Sequence, residues 1–311
     1  MIKEIAVEPE VMANWNHFRD IWADCGVSRG RLLVEYPPDW RETVCRRAFE
    51  VNSTKAAGIM VRLKPGPGQT DPKRWIPTNR SYDKGREWLA NAERHEPPNA
   101  FDVIVARANP RSKSRVVVAG DFPKDQPPWK TGTQSEVPRT AAGLVSCAGC
   151  LLRVSTQLVM VDQNFDAREP RFLEPFKAFV CARPKWQRCE LHVAHPMANG
   201  RPDKQVLENR IYHMKQQLAP VIPTGCTLRV RFWYRRQDGK RLHPRFVMTE
   251  YGGLQYDYGL DEGDSTNDTT IVSLMDADVW QTVRADYGLV AGTAPAFDTG
   301  NDCLVEISGT A

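Results

Sequence analysis

His243 and Arg245 stand two residues apart in the run LHPRFVMTEYGGLQYDYGLDE, residues 242–262. Residues i and i+2 of a strand share a face, so a strand here presents an imidazole and a guanidinium side by side. That pair suits a phosphate. The guanidinium fork takes two oxygens, and the imidazole attacks phosphorus or donates a proton. Glu250 can orient His243 or pair with Arg245; its plainer role is to end a hairpin in solvent. Asp238-Gly239 is a hairpin-turn signal. Around it lie Arg235, Arg236, Lys240 and Arg241, which read as a phosphate-binding mouth or, more plainly, as a solvated hairpin tip. Asp261 follows Gly259-Leu260 and reads as the residue that locks this turn by accepting backbone amides.

The pattern His243-x-Arg245-x-x-x-x-Glu250 resembles the H-x-K-x-x-x-x-D signature of the phospholipase D superfamily, with Arg for Lys and Glu for Asp. His243-Pro-Arg245, Tyr251-Gly-Gly253 and Tyr258-Gly-Leu-Asp261 resemble one branch more closely, the phospholipase-D-like domain at the C-terminus of microtubule-interacting-and-transport domain proteins. The resemblance covers residues 136–311. It implies a mixed sheet flanked by helices. In that branch it implies a lipid-binding dimer without catalysis. In the wider superfamily it implies metal-free phosphodiester chemistry, in which a strand histidine becomes a phosphohistidine and a second histidine protonates the leaving group. The chain carries one motif, so a two-histidine site requires a twofold partner. Single-motif members include dimeric bacterial nucleases, some of them tied to defence against foreign DNA.

Other candidates have plainer readings. Asp162, Asn164 and Asp166 follow an apolar strand, at the end where open α/β sheets collect ligands; no further acidic cluster completes an oxygen shell for a metal, and a structural role is expected for Asp162. His192 and His195 lie three apart, so a strand turns them to opposite faces. Either can be a second acid–base group, or a satisfied histidine near a strand end. Cys147 and Cys150 have C-x-x-C spacing without a second pair, on a small-residue helix that favours core packing. Arg41, Arg46 and Arg47 share one expected helix, and Lys73, Arg74, Arg80, Lys84 and Arg86 flank Trp75 and Tyr82, as in single-strand binders, but interspersed acids make a mixed solvated surface the simpler reading.

The positioning elements follow from periodicity. Apolar residues at helical spacing predict helices over 11–25, 37–49, 138–155, around Phe172–Val180, over 207–218 and around 280–287. Strands are expected at 31–36, 57–63, 101–107, 115–119, 157–162, 190–194, 227–234, in the motif and at 269–275. Alternation of this kind predicts an α/β protein. The expected division is an N-terminal α/β domain over 1–120, a Pro/Gly-rich linker over 121–137, and a phospholipase-D-like domain over 138–311.

The chain has 311 residues, 41% hydrophobic and 26% charged, with nine Trp and eleven Phe to fill a core. Lys and Arg number 42 against 38 Asp and Glu, so bulk charge does not mark a nucleic-acid binder. Eight scattered cysteines and the absence of an apolar leader or an 18-residue apolar run predict reduced thiols in a cytoplasmic protein without a transmembrane segment. Nucleic acid is the favoured phosphodiester, no cofactor is expected, and a homodimer or larger complex is the expected assembly. Peripheral membrane contact, a protein partner and a scaffold role stay open as alternatives.

Overall fold

The computed structural model describes residues 1–64, 74–97, 99–122, 125–198, 201–236, 239–242, 244–299 and 303–311. It is a mixed α/β structure of two compact units, Met1–Thr133 and Gln134–Ala311.

The first unit is built on β1 (Lys3–Val7), α1 (Pro9–Ala13), α2 (Trp15–Asp24), β2 (Arg31–Val34), α3 (Trp40–Val51), α4 (Ser53–Leu63), β3 (Trp75–Ile76), α5 (Trp88–Glu93), β4 (Val103–Ala106) and β5 (Val116–Val118). The strands form one sheet in the order β3-β2-β1-β4-β5, every neighbouring pair parallel. β1, β2 and β4 are almost wholly buried, as strands covered on both faces must be.

Two elements differ from the sequence reading. The helix expected over 11–25 is two helices. Asn14 separates them, and its side chain accepts from the amides of Asn16 and His17 to cap α2. The segment expected as a strand at 57–63 is helical, because Asn52 caps it through the amide of Lys55 and Ala56, Ile59 and Leu63 bury a helical stripe. The stretch expected as a linker is shared out: Trp129 is buried in the first core, while Gln134–Pro138 forms a strand of the second sheet.

The second unit comprises β6 (Gln134–Pro138), α6 (Ala141–Val154), β7 (Gln157–Val161), α7 (Pro170–Cys181), β8 (Arg188–Ala194), β9 (Met197–Ala198), β10 (Arg201–Pro202), α8 (Lys204–Leu218), β11 (Thr227–Trp233), β12 (Arg245–Met248), β13 (Gly253–Tyr256), β14 (Thr269–Leu274), α9 (Ala277–Asp286) and β15 (Leu304–Ser308). Its large mixed sheet runs β15-β11-β8-β7-β12-β13-β14-β6. β7, β8 and β11 are parallel and linked through α7 and α8; β12 lies antiparallel against β7.

Alternation along β12 sets the two faces. Phe246 and Met248 join Val159, Val161 and Trp233 in a core covered by Trp280 and Val283 of α9. Arg245 pairs in register with Tyr256 on the opposite face, where the Tyr256 ring meets Phe179 of α7 and its hydroxyl donates to the Leu144 carbonyl of α6. Among the described residues, no helix is long and apolar enough to cross a membrane.

Candidate phosphate-binding edge

β12 begins where β7 ends. Phe246 pairs with Val161, so Arg245 and Asp162 are opposed one step beyond the ladder. Arg245 thus lies at the carboxyl edge of the parallel strands, where open α/β sheets gather ligands. Its side chain is 12% exposed, with Nε 4.0 Å from Asp162 Oδ1. That Nε is buried and has no hydrogen-bond partner among the described residues. His243 lies outside the described residues, as do Asp238 and Lys73.

Asp162 is almost fully buried. Oδ2 accepts from the amide of Leu260 at 2.9 Å and Oδ1 from that of Asn164 at 3.0 Å. Burial pushes its pKa up, against the pull of these amides and of Arg245. The carboxylate thus fastens the Gly-Leu-Asp turn to the end of β7.

Asp261 fastens the same turn from the other side. Oδ2 takes Arg139 Nη2 at 2.9 Å and Arg171 Nη2 at 2.6 Å. The expected backbone-amide role is therefore filled by two guanidiniums. Glu262 accepts from the amide of Ala141 at the start of α6. Gly259 has φ +146°, and a Cβ there would stand 2.2 Å from Asp261 Oδ1. Arg139 and Arg171 were not singled out in the sequence; Arg139 lies 122 positions from Asp261, and no local spacing signals such a pair.

Glu250 is not at this edge. It sits at the far end of β12, about 16 Å along the strand from Arg245 at strand rise. There it accepts from the amides of Thr156 at 2.6 Å and Gln157 at 3.1 Å, and from the Thr156 hydroxyl. This corrects the expectation that it pairs with Arg245: five residues of extended chain carry it to the start of β7.

The basic mouth is largely engaged within the protein. Arg236 pairs with Asp298 at 2.7 Å and Lys240 with Asp286 at 2.7 Å. Arg235 Nε donates to the Gly239 carbonyl. Arg241 is exposed. Asp166 is held by Arg168, and the hydrogen bonds from Arg168 keep its carboxyl below the usual range against the effect of burial.

The two histidines of the β8 region have separate surroundings. His195, buried just beyond β8, places Nδ1 2.7 Å from the Pro196 carbonyl. His192 is fully buried. Its Nδ1 accepts from Trp233 Nε1 at 2.8 Å, which leaves the proton on Nε2 to donate to Glu190 Oε2 at 3.1 Å. Arg188 pairs with the other oxygen of Glu190 at 2.7 Å. This buried network was missed, because charged residues inside a strand read as its solvent face.

Cys147 and Cys150 are both buried on α6, and burial pushes the Cys147 thiol up, away from the thiolate that redox or zinc chemistry needs. Among the described residues, no group of three or more His, Cys, Asp and Glu is placed to hold a metal ion. In the first unit, Arg41 and Arg74 lie over Trp75 and Trp22, while Arg47 and Arg86 pair with Glu50 and Asp83. Much of the basic and aromatic character there is thus spent internally.

No family model matches the chain, and no curated protein matches it. Among solved structures, it is similar to polyphosphate kinase from Porphyromonas gingivalis, with 10% identity over 54% of this chain and 27% of that chain, at a TM-score of 0.33. It is also similar to TrmBL2, an archaeal chromatin protein that binds DNA, with 12% identity over 54% of each chain and a TM-score of 0.27. The chain spans about a quarter of the first and about half of the second.

Proposed function

We propose that the second unit is a phospholipase-D-like domain that binds phosphodiesters at the β7–β12 edge, with nucleic acid as the favoured polymer. The observation that carries this reading is Arg245. Its guanidinium stands at the carboxyl edge of three parallel strands, with a buried Nε that no described residue accepts, and it belongs to the His-x-Arg motif. An unused N–H beside a second pair of donors suits a bidentate phosphate.

In the active form, His243 attacks phosphorus, forming a P–N bond as the P–O bond to the leaving group breaks. The leaving oxygen takes a proton from His243 of a twofold partner. Water then attacks the phosphohistidine, giving its proton to the partner's imidazole that protonated the leaving group, and the P–N bond breaks as the new P–O bond forms, which restores both imidazoles. No metal enters these steps. A bacterial-defence nuclease is the biological setting this chemistry fits.

Filter binding and cleavage of a DNA duplex and a single strand, in the presence of EDTA, test the proposal. His243→Ala is expected to abolish cleavage and keep binding; Arg245→Ala is expected to weaken binding about tenfold or more, the size of one lost charge-assisted contact. Binding without cleavage, lost on Arg245→Ala, would assign a non-catalytic module. Binding and cleavage indifferent to both substitutions would overturn the site.

A further inference from the structure

Tyr258 is the most exposed aromatic side chain among the described residues, at 65%. It follows β13, the strand that pairs with β12, at the same edge of the sheet as Arg245. Tyr256 is the register partner of Arg245, and the ladder runs on through the Asp257 amide, which donates to the Ile271 carbonyl of β14 at 3.1 Å. Two residues past a register partner, a side chain is a diagonal neighbour on the same face, with α-carbons about 7–8 Å apart. Asp162 ties the two residues a second time. Its Oδ2 accepts from the amide of Leu260, two residues after Tyr258, and its Oδ1 faces Arg245 Nε at 4.0 Å.

The ring is supported from one side. The Arg139 guanidinium lies over it, 5.6 Å from the centroid, within cation–π range. Arg139 is itself held by Asp261 at 2.9 Å, so the support is fixed in place. Left open to water, the rest of the ring offers its area to a flat partner. The carboxylates of the following turn have partners within the protein. Asp261 takes Arg139 and Arg171, Glu262 the Ala141 amide, Asp264 the Arg171 guanidinium, and Asp268 the Ser265 hydroxyl and the amides of Asp264 and Ser265. Asp257 is exposed, but it precedes Tyr258 by one position, so extended chain turns it to the opposite face.

A guanidinium with an unused N–H and an open aromatic ring, within a nucleotide's reach of each other, read a phosphate and an unstacked base together. Resting on the phosphodiester reading of this edge, we propose that Tyr258 is a base-stacking platform and that the edge takes single-stranded nucleic acid in preference to duplex. One base lies on the open side of the ring, opposite Arg139, next to the phosphate held by Arg245. In a duplex the bases are already stacked on their neighbours, so the ring gains nothing there. Every base has a π-face, so the selection is for strandedness and not for sequence.

Fluorescence anisotropy of the full chain tests this with three labelled probes: a short single strand, the same strand with abasic sites in place of its bases, and the matching duplex. The abasic strand keeps the phosphates and removes the rings. The wild type is expected to bind the single strand about tenfold more tightly than the abasic strand, the size of one base–aromatic stack. Tyr258→Ala, at an exposed position, should lose that advantage and leave the abasic strand and the duplex unchanged, while Tyr258→Trp should keep it. Arg245→Ala should weaken all three. Equal wild-type affinity for the base-bearing and abasic strands would overturn the platform, as would indifference to Tyr258→Ala or an equal loss on all three probes. In those cases a loss on Arg245→Ala would still uphold the phosphodiester edge. No binding of any probe, or indifference of all three to Arg245→Ala, would remove the edge itself and the platform with it.

Discussion

Arg245 Nε and Asp162 Oδ1 stand 4.0 Å apart at the opening of the β7–β12 pair, too far for a hydrogen bond and close enough for each to feel the other's charge. Asp162 is spent on the amides of Leu260 and Asn164, so it tempers the guanidinium without occupying it. The arrangement leaves Arg245 Nε without an acceptor among the described residues.

Asp162→Asn is therefore expected to tighten anion binding at neutral pH, because it removes the carboxylate facing Arg245. One of the two amides, that of Leu260 or of Asn164, loses its acceptor, at a cost of about 1–3 kcal/mol in stability. The Asp162 pKa is raised by burial, so acidification removes its charge from the wild type before an ordinary aspartate would lose it. Wild-type affinity for a phosphodiester should rise on acidification toward the carboxylate range, while that of Asp162→Asn should not follow it. Titrations at several pH values check the difference, and parallel curves for the two proteins would refute it.

Gly259 holds the turn that both aspartates fasten. Its φ of +146° excludes a relaxed side chain, and a Cβ there would meet Asp261 Oδ1 at 2.2 Å. Gly259→Ala should cost about 1–3 kcal/mol from backbone strain, and it should displace Asp261 from Arg139 and Arg171. Denaturant unfolding measures the loss. Wild-type stability in this variant would mean the turn is not held as described.

Glu250 separates structure from chemistry. Its two oxygens serve Thr156 and Gln157 separately, so Glu250→Gln, which keeps one acceptor oxygen and sets an NH2 against the other partner, should lower stability by about 1–3 kcal/mol. Phosphodiester affinity per folded molecule should stay at the wild-type value. A selective loss of affinity or cleavage at unchanged stability would return Glu250 to the site.

The alternation of helices and strands in the second unit was legible because its elements are amphipathic at regular spacing: Leu207, Met214 and Leu218 bury one stripe of α8, and the apolar run of β7 is buried throughout its last four residues. The segment 57–63 was not legible, since Gly58-Ile59-Met60-Val61 has strand-like residues, and the deciding signal was the cap at Asn52 just upstream. The motif spacing misplaced Glu250, because spacing along a strand says which face a residue takes and not what waits at its far end. Arg139 and Arg171 reach Asp261 only through tertiary packing, which no local pattern encodes.

His192 carries the last expectation. Trp233 donates to its Nδ1, and full burial lowers its pKa, with Glu190 pulling it back up and Arg231 and Arg188 pressing it down. Tyr287 meets the ring edge-on. The native state thus resists a proton that the unfolded chain accepts near pH 6.5, the ordinary histidine value. Below that pH the unfolded state binds more protons, so stability falls as pH falls. Glu190 acts in the same sense further down. Burial pushes its carboxyl up, but hydrogen bonds from His192 and Arg188 outweigh this and hold it at about 2. Its stabilisation is present above the unfolded value, about 4.5, and is lost as pH falls from there toward 2. Thermal unfolding between pH 7.5 and 5 should show a declining midpoint in the wild type and a flatter one in His192→Gln. Trp233→Phe should cost about 1–3 kcal/mol at neutral pH, because it leaves the buried Nδ1 without a donor. An equal pH slope in wild type and His192→Gln would show that this imidazole is not the group that senses the proton.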